Sequence, residues 1–254
     1  MLGAIYGDKA GSVYEFGQLK EIRSIDPEQL ILPNSFYSDD TIATISVIDA
    51  IINKKDYEDT LRRYVLNNIG YRPDFEPYFK TSFSPGMIKW AKGTGKGDSA
   101  GNGAMMRVSP VGYLFNSEKE VVNNARLVTI TSHDSKEAVE SATIIALMIY
   151  YFRNGLTKEE VFSKLGLLVK YEPFIKFNTT CKETLGNCLY ALYNSSSFED
   201  AIRKTLLMGG DTDTNCCIVG SVAESLYGMS EKQKDDALSK IPDEYIKILK
   251  RVYR

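Results

Sequence analysis

Apolar residues recur at three- and four-residue spacing along almost the whole chain. Ile42, Ile45, Ile48 and Ile52 fall on one face of residues 38–53, and Ser38 stands where an N-cap belongs. The same period predicts helices over 56–68, 118–131, 134–153, 157–169, 179–194, 198–208, 213–227 and 242–253. Ser117, Thr157, Ser197 and Ser230 each stand just before a helical segment and are read as further caps. Strand-like alternation is nearly absent, with Ile22–Ile31 the one ambiguous stretch. Roughly ten helices joined by short polar connections predict an all-α bundle, read as a single domain over residues 1–254. One stretch breaks the pattern. From Tyr71 to Gly103 the chain carries Pro73, Pro77, Pro85 and Gly86, then Gly93, Gly95, Gly97, Gly101 and Gly103. That is expected to be a long loop, of the kind that carries function or moves.

Composition adds limits rather than chemistry. The 254 residues are 43% apolar and 25% charged, ordinary values for a globular protein with a large core. A net charge of -2 offers no global basic field for non-specific nucleic-acid binding. No stretch approaches the roughly 20 apolar residues of a membrane span, and the N-terminal residues lack a signal-peptide pattern. The four cysteines, Cys181, Cys188, Cys216 and Cys217, form no CxxC pair. With a single histidine, a zinc site is improbable. Reduced, buried thiols in the cytoplasm are expected.

Two short segments are the candidate chemistry. Ser38-Asp39-Asp40-Thr41 opens an apolar-periodic helix, and capping alone accounts for such a start. Adjacent carboxylates flanked by hydroxyls are also a ligand set for hard cations. Gly209-Gly210-Asp211-Thr212-Asp213-Thr214 repeats the composition before another helix, with glycines that permit a sharp turn. Together the two starts supply enough ligands for two ions sharing a carboxylate, an arrangement used in metal-assisted hydrolysis. Gly3, Gly7 and Gly11 recur every four residues in a helical start, with Asp8 and Glu15 beside the series. They imply close approach either of another helix or of a ligand, and Gly220 and Gly228 are candidates for the same crevice. Gly101-Asn102-Gly103 feeds a helix and offers backbone N–H groups suited to phosphate. Arg107 is read as binding phosphate or, by preference, capping a buried carboxylate. His133 lacks a nucleophile in triad geometry, so it is read as a packing residue or a pocket wall that meets a base.

Taken in order, these segments resemble the ADP-ribosylglycohydrolase family. The resemblance runs from Gly3–Gly11 with Glu15, through Ser38–Thr41 and Gly101–Gly112, to Gly209–Thr214 and Gly220–Glu224. It implies an all-α orthogonal multi-helix bundle and a binuclear site for two divalent cations, Mg2+ or Mn2+. The implied metal ligands are Ser38, Asp39, Asp40, Asp211, Asp213 and Thr214. Glu15, Asp39, Asp40 and Asp211 are the implied catalytic residues, with Glu15 on a flap over the scissile bond. Implied ADP-ribose contacts are Gly101, Asn102, Gly103, Met105, His133, Gly209 and Gly210. The implied substrate is an ADP-ribosylated protein or small molecule, and ADP-ribose is the product.

The chain departs from the family pattern at Ser38, where many members have threonine, and at Ser221 and Glu224. Ser132-His133-Asp134 lacks the second histidine of bacterial relatives, and Tyr78, Phe79 and Phe83 replace a glycine-flanked tyrosine. A phosphoester hydrolase using the same aspartates, an ADP-ribose-binding protein without turnover, and a structural protein of the same descent remain the competing readings.

Overall fold

The structure is a computed structural model that describes residues 1–15, 29–73, 82–173 and 176–253. Along these, fourteen helices follow one another: α1 (Leu2–Ser12), α2 (Asp39–Asn53), α3 (Tyr57–Asn67), α4 (Pro85–Ala91), α5 (Gly103–Met106), α6 (Ser109–Leu114) and α7 (Glu118–Ile130), then α8 (Lys136–Arg153), α9 (Lys158–Lys164), α10 (Cys181–Asn194), α11 (Phe198–Met208), α12 (Thr212–Tyr227), α13 (Glu231–Leu238) and α14 (Asp243–Leu249). The only strand-like pairings among the described residues are two isolated bridges, Asp98 with His133 and Gly101 with Thr180. Within Ile22–Ile31, residues 22–28 lie outside the described residues, and Leu30 and Ile31 form no strand. No described helix is long and apolar enough to cross a membrane.

Side-chain caps start the helices where hydroxyls precede apolar periodicity. Ser38, Ser117, Ser197 and Ser230 each accept a hydrogen bond from a first-turn amide, and Thr157 closes a capping box with Glu160. The segment expected to run to residue 169 stops at Lys164, because Gly166 takes φ +68° and cannot continue the helix. The expected long loop also contains a helix. Ser84 caps α4 and Pro85 starts it, so a residue read as a breaker serves as an initiator.

The centre of the bundle is the crossing of α1 and α12. Every residue of α1 is buried, as are Thr212 through Ala223 of α12. The glycine series resolves to helix packing. A Cβ on Gly3 would sit 2.2 Å from the Gly220 carbonyl oxygen, one on Gly7 1.9 Å from that of Cys216, and one on Gly11 2.2 Å from that of Thr212. Gly220 faces the same seam, whereas Gly228 terminates α12 at φ +76°. At the far end of the seam, Glu224 accepts from the Gly3 amide at 2.8 Å and the Tyr253 hydroxyl at 2.7 Å. Thr212 Oγ1 donates to the Gly11 carbonyl at 2.8 Å and locks the near end.

Backbone meets backbone here, so no rotamer change relieves an added methyl. Gly7→Ala is expected to cost about 3 kcal/mol or more in urea denaturation, the upper part of the range for overpacking. Gly186, within α10, has open space around its Cβ position, and Gly186→Ala is expected to gain about 0.5–1 kcal/mol from helix propensity. Equal stability of the two variants would contradict the packing described.

Candidate active site

The seam between α1 and α12 opens onto a cavity of about 740 Å³, within the usual range for ligand sites. Its floor is built from two helix starts. At α2, the Ser38 hydroxyl accepts from the Asp40 amide at 3.2 Å and lies 3.1 Å from Asp40 Oδ2, to which it donates. The Asp39 carboxylate accepts from Ser82 Oγ at 2.9 Å. At α12, Gly209 and Gly210 take φ +68° and +83°, a left-handed turn that only glycine enters freely. That turn delivers Asp211 as the cap residue of α12, and Asp213 and Thr214 to its first turn. Thr214 Oγ1 donates to Asp40 Oδ2 at 3.2 Å, joining the two starts. Asn102 Nδ2 donates to Asp211 Oδ2 at 2.7 Å and ties the floor to the glycine loop.

Asp8, placed beside the glycine series by its spacing but not among the implied metal or catalytic residues, belongs to the site. Its Oδ2 accepts from the Ser38 amide at 2.9 Å, the Thr41 amide at 3.1 Å and Thr41 Oγ1 at 2.5 Å. One α1 carboxylate therefore orients the whole first turn of α2. The available signal was an acid one residue past Gly7, in a helix whose seam the glycines already mark. Carboxylate oxygens of Asp8, Asp40 and Asp213 lie within 4.8 Å of one another, and so do those of Glu15, Asp211 and Asp213. Asp213 belongs to both groups.

Glu15, Ser38, Asp39, Asp40, Asp211, Asp213 and Thr214 all line this one cavity, together with Gly101, Asn102, Gly103 and His133. Three expected contacts are not part of its lining. Met105 is buried in the core, and the next residue along α5, Met106, lines the cavity instead. A one-residue step turns a helical side chain by about 100°, enough to exchange core for pocket. Gly209 and Gly210 shape the turn behind the floor rather than its surface. The Thr212 hydroxyl, between the two aspartates in sequence, donates to the Gly11 carbonyl rather than to a carboxylate. In the glycine loop, the Gly101 amide is bonded to Ser99 Oγ at 3.1 Å and the Asn102 amide to the Thr179 carbonyl at 2.8 Å. Those two N–H groups are occupied within the protein. Tyr78 and Phe79 lie outside the described residues, while Phe83 and Phe177 line the cavity.

Burial pushes the floor carboxyls up. Glu15 rises to about 9 through burial and the charges of Asp211 and Asp39, and Asp39 rises to about 7, chiefly through burial. Asp8, Asp40, Asp211 and Asp213 are likewise held above the carboxylate range by burial, with neighbouring acids adding to it at Asp40 and Asp213. The cavity lining contains no lysine among its described residues, and its one arginine, Arg107, is used elsewhere. Asp8 Oδ1 and Asp40 Oδ1 are fully buried without a hydrogen-bond partner among the described residues. Buried acids with unpartnered oxygens and flanking hydroxyls match the donor set of a hard divalent cation, and could hold one.

On the side wall, Arg107 is completely buried, with no carboxylate partner among the described residues. It donates to the carbonyls of Gly103 (2.8 Å), Val128 (3.3 Å) and Thr129 (3.5 Å) and to Ser132 Oγ (2.9 Å). Its charge thus sits at the C-terminal end of α7, where a helix favours a cation. The expected carboxylate cap is replaced by carbonyl oxygens. Its Nη1 also lies 3.5 Å from His133 Nδ1.

The family model described as ADP-ribosylglycohydrolase matches residues 1–253. The chain is 24% identical to mouse ADP-ribosylhydrolase ARH3, an alignment covering 91% of this chain and 83% of that protein. It is 27% identical to ADP-ribosylarginine hydrolase Tri1 of Pseudomonas putida, over 52% of this chain and 40% of that protein. Among solved structures, an ADP-ribosylglycohydrolase-related protein complex superposes with a TM-score of 0.73 at 20% identity, covering 100% of this chain and 96% of the other.

The floor makes a two-signed expectation. An acid whose pKa is raised by folding contributes stability that is present below its unfolded value of about 4 and lost as pH rises through the folded value. With chelator present, the urea midpoint should fall as pH rises from 5 towards 9, the range set by Asp39 and Glu15. Millimolar Mg2+ or Mn2+ should remove that loss and add about 2.7 kcal/mol at a hundred times Kd. Asp40→Asn should stabilise the chelated protein at pH 8 and abolish the gain from metal. A chelated midpoint that does not fall with pH, or a metal gain retained by Asp40→Asn, would count against the arrangement.

Proposed function

The chain belongs to the ADP-ribosylglycohydrolase family, and from that premise we propose that it hydrolyses the glycosidic bond between ADP-ribose and an ADP-ribosylated protein side chain, with two divalent cations, Mg2+ or Mn2+, as cofactors. One observation carries this reading. Two acidic helix starts, 174 residues apart at the pair that joins them, meet on one cavity floor through the Thr214–Asp40 hydrogen bond and are flanked by Asp8 and Glu15.

In this reading Ser38, Asp39, Asp40, Asp211, Asp213 and Thr214 would hold the cations, which would supply charge neutralisation for the carboxylates and Lewis acidity towards ribose oxygens. The protein's own groups do the rest. Asn102 and Ser82 fix the orientation of Asp211 and Asp39 through their hydrogen bonds. Glu15 lines the cavity at 9% exposure, and in the metal-free protein burial and the charges of Asp211 and Asp39 push its carboxyl up to about 9. In this reading it serves as the general acid that protonates the leaving atom and, once ionised, as the base that accepts a proton from the attacking water. The wall of Gly101, Asn102, Gly103 and His133 receives the diphosphate and nucleotide side of ADP-ribose, and the cavity face of Phe83, Pro85 and Met87 receives the acceptor. Four free cysteines, all buried, suit a reducing cytoplasm.

Release of ADP-ribose from defined peptides modified on arginine or serine, with and without chelator, tests the assignment. Asp211→Asn combined with Asp213→Asn should lower kcat by roughly a thousandfold, about 4 kcal/mol of barrier, with Glu15→Gln comparable. Turnover that survives chelation and the double substitution would overturn it. ADP-ribose binding without turnover in the intact protein would reduce it to a binding protein.

A further inference from the structure

We infer that Arg107 and Ser132 act as positioning residues that fix His133 as a neutral Nε2–H tautomer, a permanent hydrogen-bond donor at the cavity wall rather than an acid or base. The ligand side of this inference rests on the ADP-ribose reading above, whereas the tautomer itself does not.

The chain of donors is directional. A guanidinium has donors only and stays charged, so Arg107 Nη2 must donate to Ser132 Oγ at 2.9 Å. That occupies an acceptor site on the serine oxygen and leaves its hydroxyl hydrogen to be placed. His133 Nδ1 lies 2.8 Å away and is the one acceptor recorded for that hydrogen among the described residues. Arg107 Nη1, also a donor, lies 3.5 Å from the same nitrogen. A proton on Nδ1 would meet a guanidinium and strand a buried hydroxyl hydrogen. Nδ1 is therefore the acceptor, and the ring proton belongs on Nε2.

Nε2 is held against the glycine loop. A Cβ built on Gly103 would lie 3.1 Å from it, and one on Gly101 would lie 3.7 Å from it. The lack of side chains at both positions is what exposes this edge of the ring to the cavity, and no described residue bonds it. Burial and the Arg107 charge together hold the imidazole well below its usual range, which keeps the ring neutral. The donor then selects an acceptor atom on the ligand, such as a phosphate, ribose or purine-ring oxygen or nitrogen. In this it differs from a cationic contact, which would favour charge alone.

The chain contains one histidine, so long-range proton–nitrogen correlation spectra of the 15N-labelled protein report this ring without assignment. In the ligand-free protein at pH 7, Nδ1 should appear as an unprotonated nitrogen and Nε2 as a protonated one, by at least about tenfold in population. Ser132→Ala should mix the two forms and weaken ADP-ribose binding about tenfold, and Ser132→Thr should restore both, with thermal unfolding confirming that each variant is folded. Arg107→Lys provides a second perturbation. A protonated Nδ1 in the unaltered protein overturns the inference, as does a tautomer and affinity unchanged in folded Ser132→Ala. Addition of ADP-ribose with Mg2+ should move Nε2 while leaving it protonated. The expected tautomer combined with no response to ADP-ribose supports the relay and overturns the ADP-ribose reading instead.

Discussion

Everything at this site depends on how closely α1 and α12 approach. Gly3, Gly7 and Gly11 present bare backbone to the carbonyls of Gly220, Cys216 and Thr212, which brings the two helices nearer than any side chain would allow. Because the series repeats every four residues, it fixes one stripe of α1 along α12. Asp8 follows the middle glycine and turns off the stripe towards α2, where it gathers the Ser38 and Thr41 amides. Glu15 continues the same four-residue count just past the end of α1, so it emerges beside Asp211 and Asp213 at the start of α12. The seam is thus a ruler. It sets how far apart three acidic segments lie, and a separation larger by one methyl group would be felt at all of them.

What the seam brings together is electrostatically costly, and magnitudes decide how it is borne. Two helix N-termini face the carboxylates, and each contributes typically 0.3–1 kcal/mol, up to about 2, for an acid in its first turn. Removing a carboxylate from water costs several kcal/mol even after relaxation. With Asp8, Glu15, Asp39, Asp40, Asp211 and Asp213 on one floor, the dipoles and hydroxyl donors fall well short. Protons or cations must supply the rest, and the upward displacement of these groups in the metal-free protein is the proton solution. A site held this way is poised to exchange protons for divalent cations. That couples loading of the site to pH and to stability in one step.

The helices were largely legible because capping and apolar period are local properties: Ser38, Ser117, Thr157, Ser197 and Ser230 start helices where their spacing places them. The pairing of the acidic segments was legible through their repeated composition and their resemblance to a family. What escaped depended on direction in space. Asp8 was visible only as an acid beside the glycine series, since nothing local tells an acid that faces solvent from one that faces another helix start. Met105 and Met106 are chemically identical neighbours, and only the phase of a four-residue helix separates core from cavity. Arg107 invited a carboxylate partner from chemistry alone, yet the end of α7 supplied carbonyls that a sequence does not display as anions.

The two halves of the cavity follow different electrostatic rules, and this bears on how an anionic ligand is held. The floor is acidic and repels phosphate unless cations intervene. On the wall, Arg107, the one cationic side chain among the described lining residues, is completely buried and turns both Nη groups to carbonyls and Ser132. If the wall receives a diphosphate, as proposed, its recognition falls to neutral donors and to whatever charge the floor has loaded. Neutral donors act through distance and angle and lose little to ionic screening, whereas surface cations act through a field that salt weakens. In the proposed reading, a wall built in this way discriminates by the position of acceptor atoms rather than by charge, and its ligand is held fully only once the floor has exchanged protons for metal. Selectivity and activation are thereby placed under the same geometric control, the approach of α1 to α12.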